Sequence, residues 1–288
     1  MKWFQTLLDF YIRSSFHVAF CFVALFLVFH FENLSKLDDA ILHLIFCGVV
    51  IGYNIIKYAA LLLEQKEFRF KKAVITITTI ASGIAAYLIV TDSLWTAAMV
   101  ALASAFSIFY AFPLIRQHNL RQVPIFKLAL VASSWIIIIC FLPLKSVYAD
   151  FEYLIDPLAF SITDSIPWLY AIDIVQLFLL IIALCIPFEI RDLQYDAPQL
   201  KTLPQLIGIT RTKLLGIALC AVYLLMEFIP FGFATTITAI SSYCIVPFIA
   251  LSIWFSDVFK SDYYASFFVE AIPVLWLGLL LFLTGTYA

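Results

Sequence analysis

Trp168-Leu-Tyr-Ala-Ile-Asp-Ile-Val-Gln-Leu-Phe-Leu-Leu-Ile-Ile-Ala-Leu-Cys-Ile-Pro-Phe188 is a 21-residue stretch with a single charged side chain, Asp173. An α-helix needs about 20 mostly apolar residues to cross the hydrocarbon core of a bilayer, so this stretch reads as a membrane span. The run is continuous and lacks the ten-residue apolar/polar alternation of a barrel strand, which makes it a helix. Comparable stretches recur along the chain near 15–31, 40–63, 71–90, 94–113, 124–144, 211–230, 233–255 and 267–286. The expected fold class is therefore an all-α polytopic membrane protein of nine transmembrane helices. The first two spans are the weakest. His17 and His30 lie in one, and His43, Asn54 and Lys57 lower the hydropathy of the other.

Composition agrees with this reading. Hydrophobic residues make up 64% of the 288 and charged residues 12%, where a soluble domain is nearer half and a quarter. Short cytoplasmic loops collect Lys and Arg. With the N-terminus in the cytoplasm and the C-terminus outside, fifteen of the 17 basic residues fall on the cytoplasmic side, and only Lys36 and Lys145 remain outside. The net charge of −2 is then a matter of segregation. No basic domain is present to carry nucleic acid, so none is expected as a partner. Residues 2–12 carry no small-x-small cleavage site and read as a short interfacial helix. The six cysteines stand singly within spans with no CxxC pair, and are expected to pack.

The longest connections, 145–167 and 189–210, divide the spans into five and four. The second is rich in chemistry. Glu189, Asp192 and Asp196 are spaced three and four apart, so on a continuing helix the three carboxylates share one face and repel. Water at a solvated helix end, partly neutralised by Arg191 and Lys201, would relieve that repulsion. So would a cation such as Mg²⁺. A weaker polar echo follows the second span, where Asn54, Lys57 and Tyr58 precede Glu64-Gln65-Lys66-Glu67.

The segment from Glu189 through Asp192, Asp196, Lys201-Thr202-Leu203-Pro204 to Gly208 resembles the second aspartate-rich motif of the UbiA-type intramembrane prenyltransferases. Tyr110-Ala-Phe-Pro113-Leu-Ile-Arg116 is similar to that family's Y-x-x-P-x-x-R signature, with Lys127 and Trp135 following at family-like distance. The resemblance implies a single ring-like bundle over 1–288 around a central cavity, in which a prenyl group moves from a prenyl diphosphate to a lipophilic, aromatic or quinone-like acceptor. It also implies Mg²⁺ held by Asp192, Asp196 and Glu189, and diphosphate contacts from Tyr110, Arg116, Arg191 and Lys201.

The first motif of that family reads N-D-x-x-D-x-x-x-D. Here Asn54 survives, while Ile55, Tyr58 and Leu62 stand where aspartates would be. Lys57 either presents a fixed ammonium in place of a metal ion or snorkels to the interface. Tyr58 either bonds a substrate oxygen or joins the interfacial aromatic belt. Asn54 and Lys57, with Asp192 and Asp196, are the catalytic candidates, and with Tyr110 and Arg116 they are expected to converge on one cavity. The alternatives are a non-catalytic relative that binds an isoprenoid or quinone-like lipid, and a small cation-coupled transporter.

Overall fold

The computed structural model describes residues 2–31, 34, 37–111, 124–144, 166–195, 202–228, 236–259 and 261–285. Its elements are helices: α1 (Lys2–Arg13), α2 (Phe16–Phe29), α3 (Asp39–Leu63), α4 (Lys71–Thr91), α5 (Leu94–Ala111), α6 (Pro124–Ile136), α7 (Ile166–Asp192), α8 (Leu203–Ile207), α9 (Ile209–Phe228), α10 (Ile237–Trp254) and α11 (Ile272–Thr284). A π-helical turn, Ile137–Phe141, extends α6, and another, Tyr264–Val269, leads into α11. In its described residues each stretch expected to cross the membrane is largely helical. Among the described residues six helices are long and apolar enough to span, and the bent pair α1 and α2 makes a seventh. Leu94–Ile108 and Lys127–Phe141 are shorter apolar helices.

Local chemistry sets the breaks. Ser15 adopts φ +66° and turns the chain by 59° between α1 and α2. The side chain of Asp38 accepts the Ala40 N–H at 2.9 Å to cap α3. The Thr-Leu-Pro…Gly segment builds the single turn of α8. Gln205 Oε1 accepts the Thr202 N–H at 3.0 Å, Pro204 sits in the first turn, and Gly208 ends it at φ +82°.

The spanning helices pack in chain order. α2 lies on α3, α3 on α4, α5 on α6, α6 on α7, α7 on α9, α9 on α10 and α10 on α11, and α11 returns to α2. α2 is largely buried, with Val18, Ala19, Cys21, Phe22, Ala24, Leu25 and Phe26 all in the interior and Phe20 exposed. It reaches across to α6 through Phe22 against Trp135, with ring centroids 4.4 Å apart, and to α7 through Phe29 against Tyr170. Elsewhere large apolar side chains face outward, such as Ile80, Tyr87, Val90, Leu225 and Phe282. That pattern suits a helix with one face in lipid.

The carbonyls at the end of α6 show how polar backbone is handled here. Ile139 C=O is bonded by His30 Nε2 at 2.8 Å, Cys140 C=O by the Tyr170 hydroxyl at 2.7 Å, and Phe141 C=O by Trp95 Nε1 at 3.0 Å. Three helices each lend one donor to three consecutive carbonyls that end a helix.

α9 approaches its neighbours at Gly216. A Cβ there would stand 2.7 Å from Ile186 Cδ1 and 3.0 Å from Ile253 Cδ1, both on fully buried residues. Gly216→Val is expected to cost about 1–3 kcal/mol by overpacking, seen as a lower thermal midpoint of the purified protein in detergent. An unchanged midpoint would contradict the close approach of α7, α9 and α10.

Candidate functional site

α3 ends beside the elbow between α1 and α2, and its polar side chains are turned onto that elbow. Lys57 Nζ donates to Ile12 C=O at 3.3 Å and to Ser15 Oγ at 3.1 Å. The Tyr58 hydroxyl donates to Arg13 C=O at 2.9 Å, and its ring stacks on Phe68. Asn54 is buried. Its Oδ1 accepts from Ser15 Oγ at 2.8 Å, and its Nδ2 donates to Thr78 Oγ1 at 2.9 Å and to Ser14 C=O at 3.4 Å. The final carbonyls of a helix have no partner within it and carry the negative end of its dipole. Lys57 and Tyr58 supply donors to α1 there, with the ammonium on the favourable side. Asn54, Lys57 and Tyr58 are thus the clasp of the turn between α1 and α2.

The acids of the second motif are matched by cations. Glu189 is buried and forms an ion pair with Lys127 of α6, also buried. Asp192 Oδ1 accepts from Arg191 Nε at 2.8 Å and Nη2 at 2.7 Å, and the guanidinium lies over the Phe188 ring, 5.2 Å from its centroid. Among the described residues no group of three His, Cys, Asp or Glu side chains is placed to share a metal ion. Of the three carboxylates expected to hold Mg²⁺, Glu189 is paired with Lys127 and Asp192 with Arg191, and Asp196 lies outside the described residues. Asp196, Arg116, Arg121 and Lys201 lie outside the described residues, as does the side chain of Tyr110. Trp135 belongs to the packing against Phe22.

What the structure does bring together is Lys57 from α3 and Arg191 from α7, close enough for each to act on the other's charge. Glu270, at the entry to α11, lies within the electrostatic reach of both. Lys57 is exposed and Glu270 half-buried. Tyr11, Cys21 and Cys185 also lie within the electrostatic reach of Glu270. No motif draws attention to Glu270. The signal for it is its isolation, since an ionisable residue inside an apolar run marks a functional position by default.

Links outside the spans tie the same end together. Asp9 of α1 pairs with Arg69 and accepts the Tyr263 hydroxyl. Tyr195, beyond α7, donates to Asp262 Oδ1 at 3.1 Å. Hydrogen bonding to a carboxylate holds both phenols above their ordinary pKa, because ionising either would break the bond and set two negative charges side by side. Lys213, at the start of α9, pairs with Asp257 and donates to Trp254 C=O at 2.7 Å.

Lys127→Met is expected to cost about 3–5 kcal/mol by stranding the buried Glu189 carboxylate, and Lys127→Met with Glu189→Gln to recover most of it. Thermal unfolding of the three proteins measures this. A single variant no less stable than the double would show that Glu189 does not depend on Lys127. Compared with known proteins, the chain matches no family model, no curated protein and no solved structure.

Proposed function

We propose that this protein is a membrane prenyltransferase of UbiA type, moving a prenyl group from a prenyl diphosphate to a lipophilic acceptor. In this reading nine helices cross the bilayer and close into a ring, with the N-terminus cytoplasmic and the C-terminus outside. The return of α11 to α2 and the distribution of Lys and Arg support that arrangement. The observation that carries the proposal is that Lys57 and Arg191, from the ends of α3 and α7, lie within electrostatic reach of one another at the basic end of an apolar bundle.

The chemistry follows from charge. A prenyl diphosphate loses its leaving group when negative charge growing on the diphosphate is stabilised. Lys57 and Arg191 are fixed cations for that purpose, with Tyr110, Arg116 and Lys201 proposed to add to them. An apolar and aromatic bundle interior would suit the prenyl chain and keep water from the allylic cation. Asp192 orients the Arg191 guanidinium through two bonds from one oxygen. Mg²⁺, where bound, would supply further charge to the diphosphate, and it enters the test as a variable.

A second reading is a non-catalytic relative that binds an isoprenoid or quinone-like lipid. The observation in its favour is that Asn54, Lys57 and Tyr58 all hold the α1–α2 elbow.

The test is transfer of label from a panel of radiolabelled prenyl diphosphates into organic-extractable lipid, with and without Mg²⁺, in membranes holding the wild type, Lys57→Met, Lys57→Arg or Asp192→Asn. A charge-assisted bond contributes about 1.5–3 kcal/mol. Lys57→Met is therefore expected to lower transfer about tenfold to hundredfold, with Lys57→Arg retaining part of it. No transfer above control membranes across the panel would assign the chain to the binding reading.

A further inference from the structure

α5 and α7 both pack on α6, and between them lies an open-sided groove of about 420 Å³. Its floor is the second half of α6 with the π-helical turn, through Ser133, Ile137 and Phe141. One wall is Phe106 of α5 and the other is Ile174 and Phe178 of α7. Ser133 and Ile137 each stand two residues from Trp135, about 200° round a helix. Trp135 packs on Phe22 of α2 inside the bundle. The groove is therefore on the opposite side of α6, the side turned to lipid, and Val175 on its rim is 47% exposed.

The walls are fixed before anything enters. Trp95 of α5 donates to Phe141 C=O at 3.0 Å, and Tyr170 of α7 donates to Cys140 C=O at 2.7 Å. Both walls are thus pinned to the same end of the floor. These bonds satisfy backbone carbonyls in an apolar medium, where no water could replace them.

Size and chemistry narrow what fits. Ser133 is the one polar side chain among the described residues that line the groove, so nothing there selects a charge or a headgroup. From Ser133 to Phe141 the floor rises about 12 Å at 1.5 Å per residue. One leaflet of the hydrocarbon core is about 15 Å deep, so the groove is contained within a leaflet. A helix about 10 Å across would fill roughly 900 Å³ over the same length, twice the space present, and a helix of another chain does not enter. A linear hydrocarbon chain does, and the bilayer presents such chains to this face. Lying there it meets protein on three sides, where a flat helix face offers one, and dispersion contacts accumulate accordingly.

We propose that this groove is a lipid site, holding one acyl chain of a membrane phospholipid against α6 between α5 and α7. The chain completes the packing of the two shorter apolar helices, Leu94–Ile108 and Lys127–Phe141. The site stands apart from the proposed prenyl transfer, whose described residues lie at the ends of α3 and α7.

The test uses phosphatidylcholine carrying a diazirine at the middle of one acyl chain, mixed into nanodiscs that hold the full-length protein. After irradiation, adducts are mapped by peptide mass spectrometry. Adducts within 133–141 and 174–178 are expected at least fivefold above those at the outward-facing Ile80, Val90, Leu225 and Phe282. When the protein is moved into dodecylmaltoside before irradiation, the groove adducts are expected to persist and the others to be lost. Val175→Trp, which places an indole in the mouth, is expected to lower the groove adducts at least fivefold and leave the others unchanged. Even labelling of all outward faces, loss of the groove adducts in detergent along with the rest, or no effect of Val175→Trp would overturn the proposal. The detergent comparison needs only the wild type and decides the matter should Val175→Trp fail to fold. Displacement of the probe by geranylgeranyl diphosphate would give the groove to a prenyl chain, and quantitative dimers of Val175→Cys under mild oxidation would give it to a second copy; either would also overturn the proposal.

Discussion

Where a helix breaks inside an apolar medium, its last carbonyls have no partner in the chain and no water to turn to, at a cost of several kcal/mol each. Among the described residues such breaks occur at the α1–α2 elbow, at the end of α6 and at the entry to α11. Each is closed by side chains from other helices. Lys57, Tyr58 and Asn54 serve the first, His30, Tyr170 and Trp95 the second, and His17 the third. Most of the polar residues that weaken the hydropathy of the first two spans are there because a backbone elsewhere needs them. The breaks in turn hold the helices in register, since each donor ties one helix to the terminus of another.

Charge follows the same logic. Lys127 with Glu189 and Lys213 with Asp257 join α6 to α7 and α9 to the end of α10. Removing either partner of the buried pair would leave an uncompensated ion, whereas the pair together is tolerated. Besides these pairings, Lys57, Arg191 and Glu270 lie within electrostatic reach of one another, where α3 and α7 end and α11 begins.

Much of the helical layout is legible in the sequence because an apolar run of bilayer length has few other fates. The stretch expected over 168–188 appears as the inner part of Ile166–Asp192, and the interfacial helix expected over 2–12 appears as Lys2–Arg13. The full crossing number is less legible: Leu94–Ile108 and Lys127–Phe141 fall short in described length, because connections lying outside the described residues bound them. Lys57 is readable as a fixed ammonium in place of a metal ion or as a snorkelling side chain. That it also clasps Ile12, forty-five residues earlier, depends on the positive φ of Ser15, and no spacing rule reports such a turn. The Lys127–Glu189 pair spans sixty-two residues and escapes helical periodicity for the same reason. Glu270 carries no motif, and its importance comes from a π turn whose extra residue leaves no mark in composition.

The central claim is that Lys57, Arg191 and Glu270 lie together at one end of the bundle, the end that the proposed topology places in the cytoplasm. Its most direct test is labelling of Glu270→Cys by a membrane-impermeant thiol reagent in sealed vesicles of both orientations, measured above the background of the six native cysteines. Labelling from the cytoplasmic face alone is the predicted result, although the residue lies inside the last apolar stretch. Labelling from neither face would mean that Glu270 is enclosed by protein or lipid, and labelling from the opposite face would reverse the topology; either result would contradict the account.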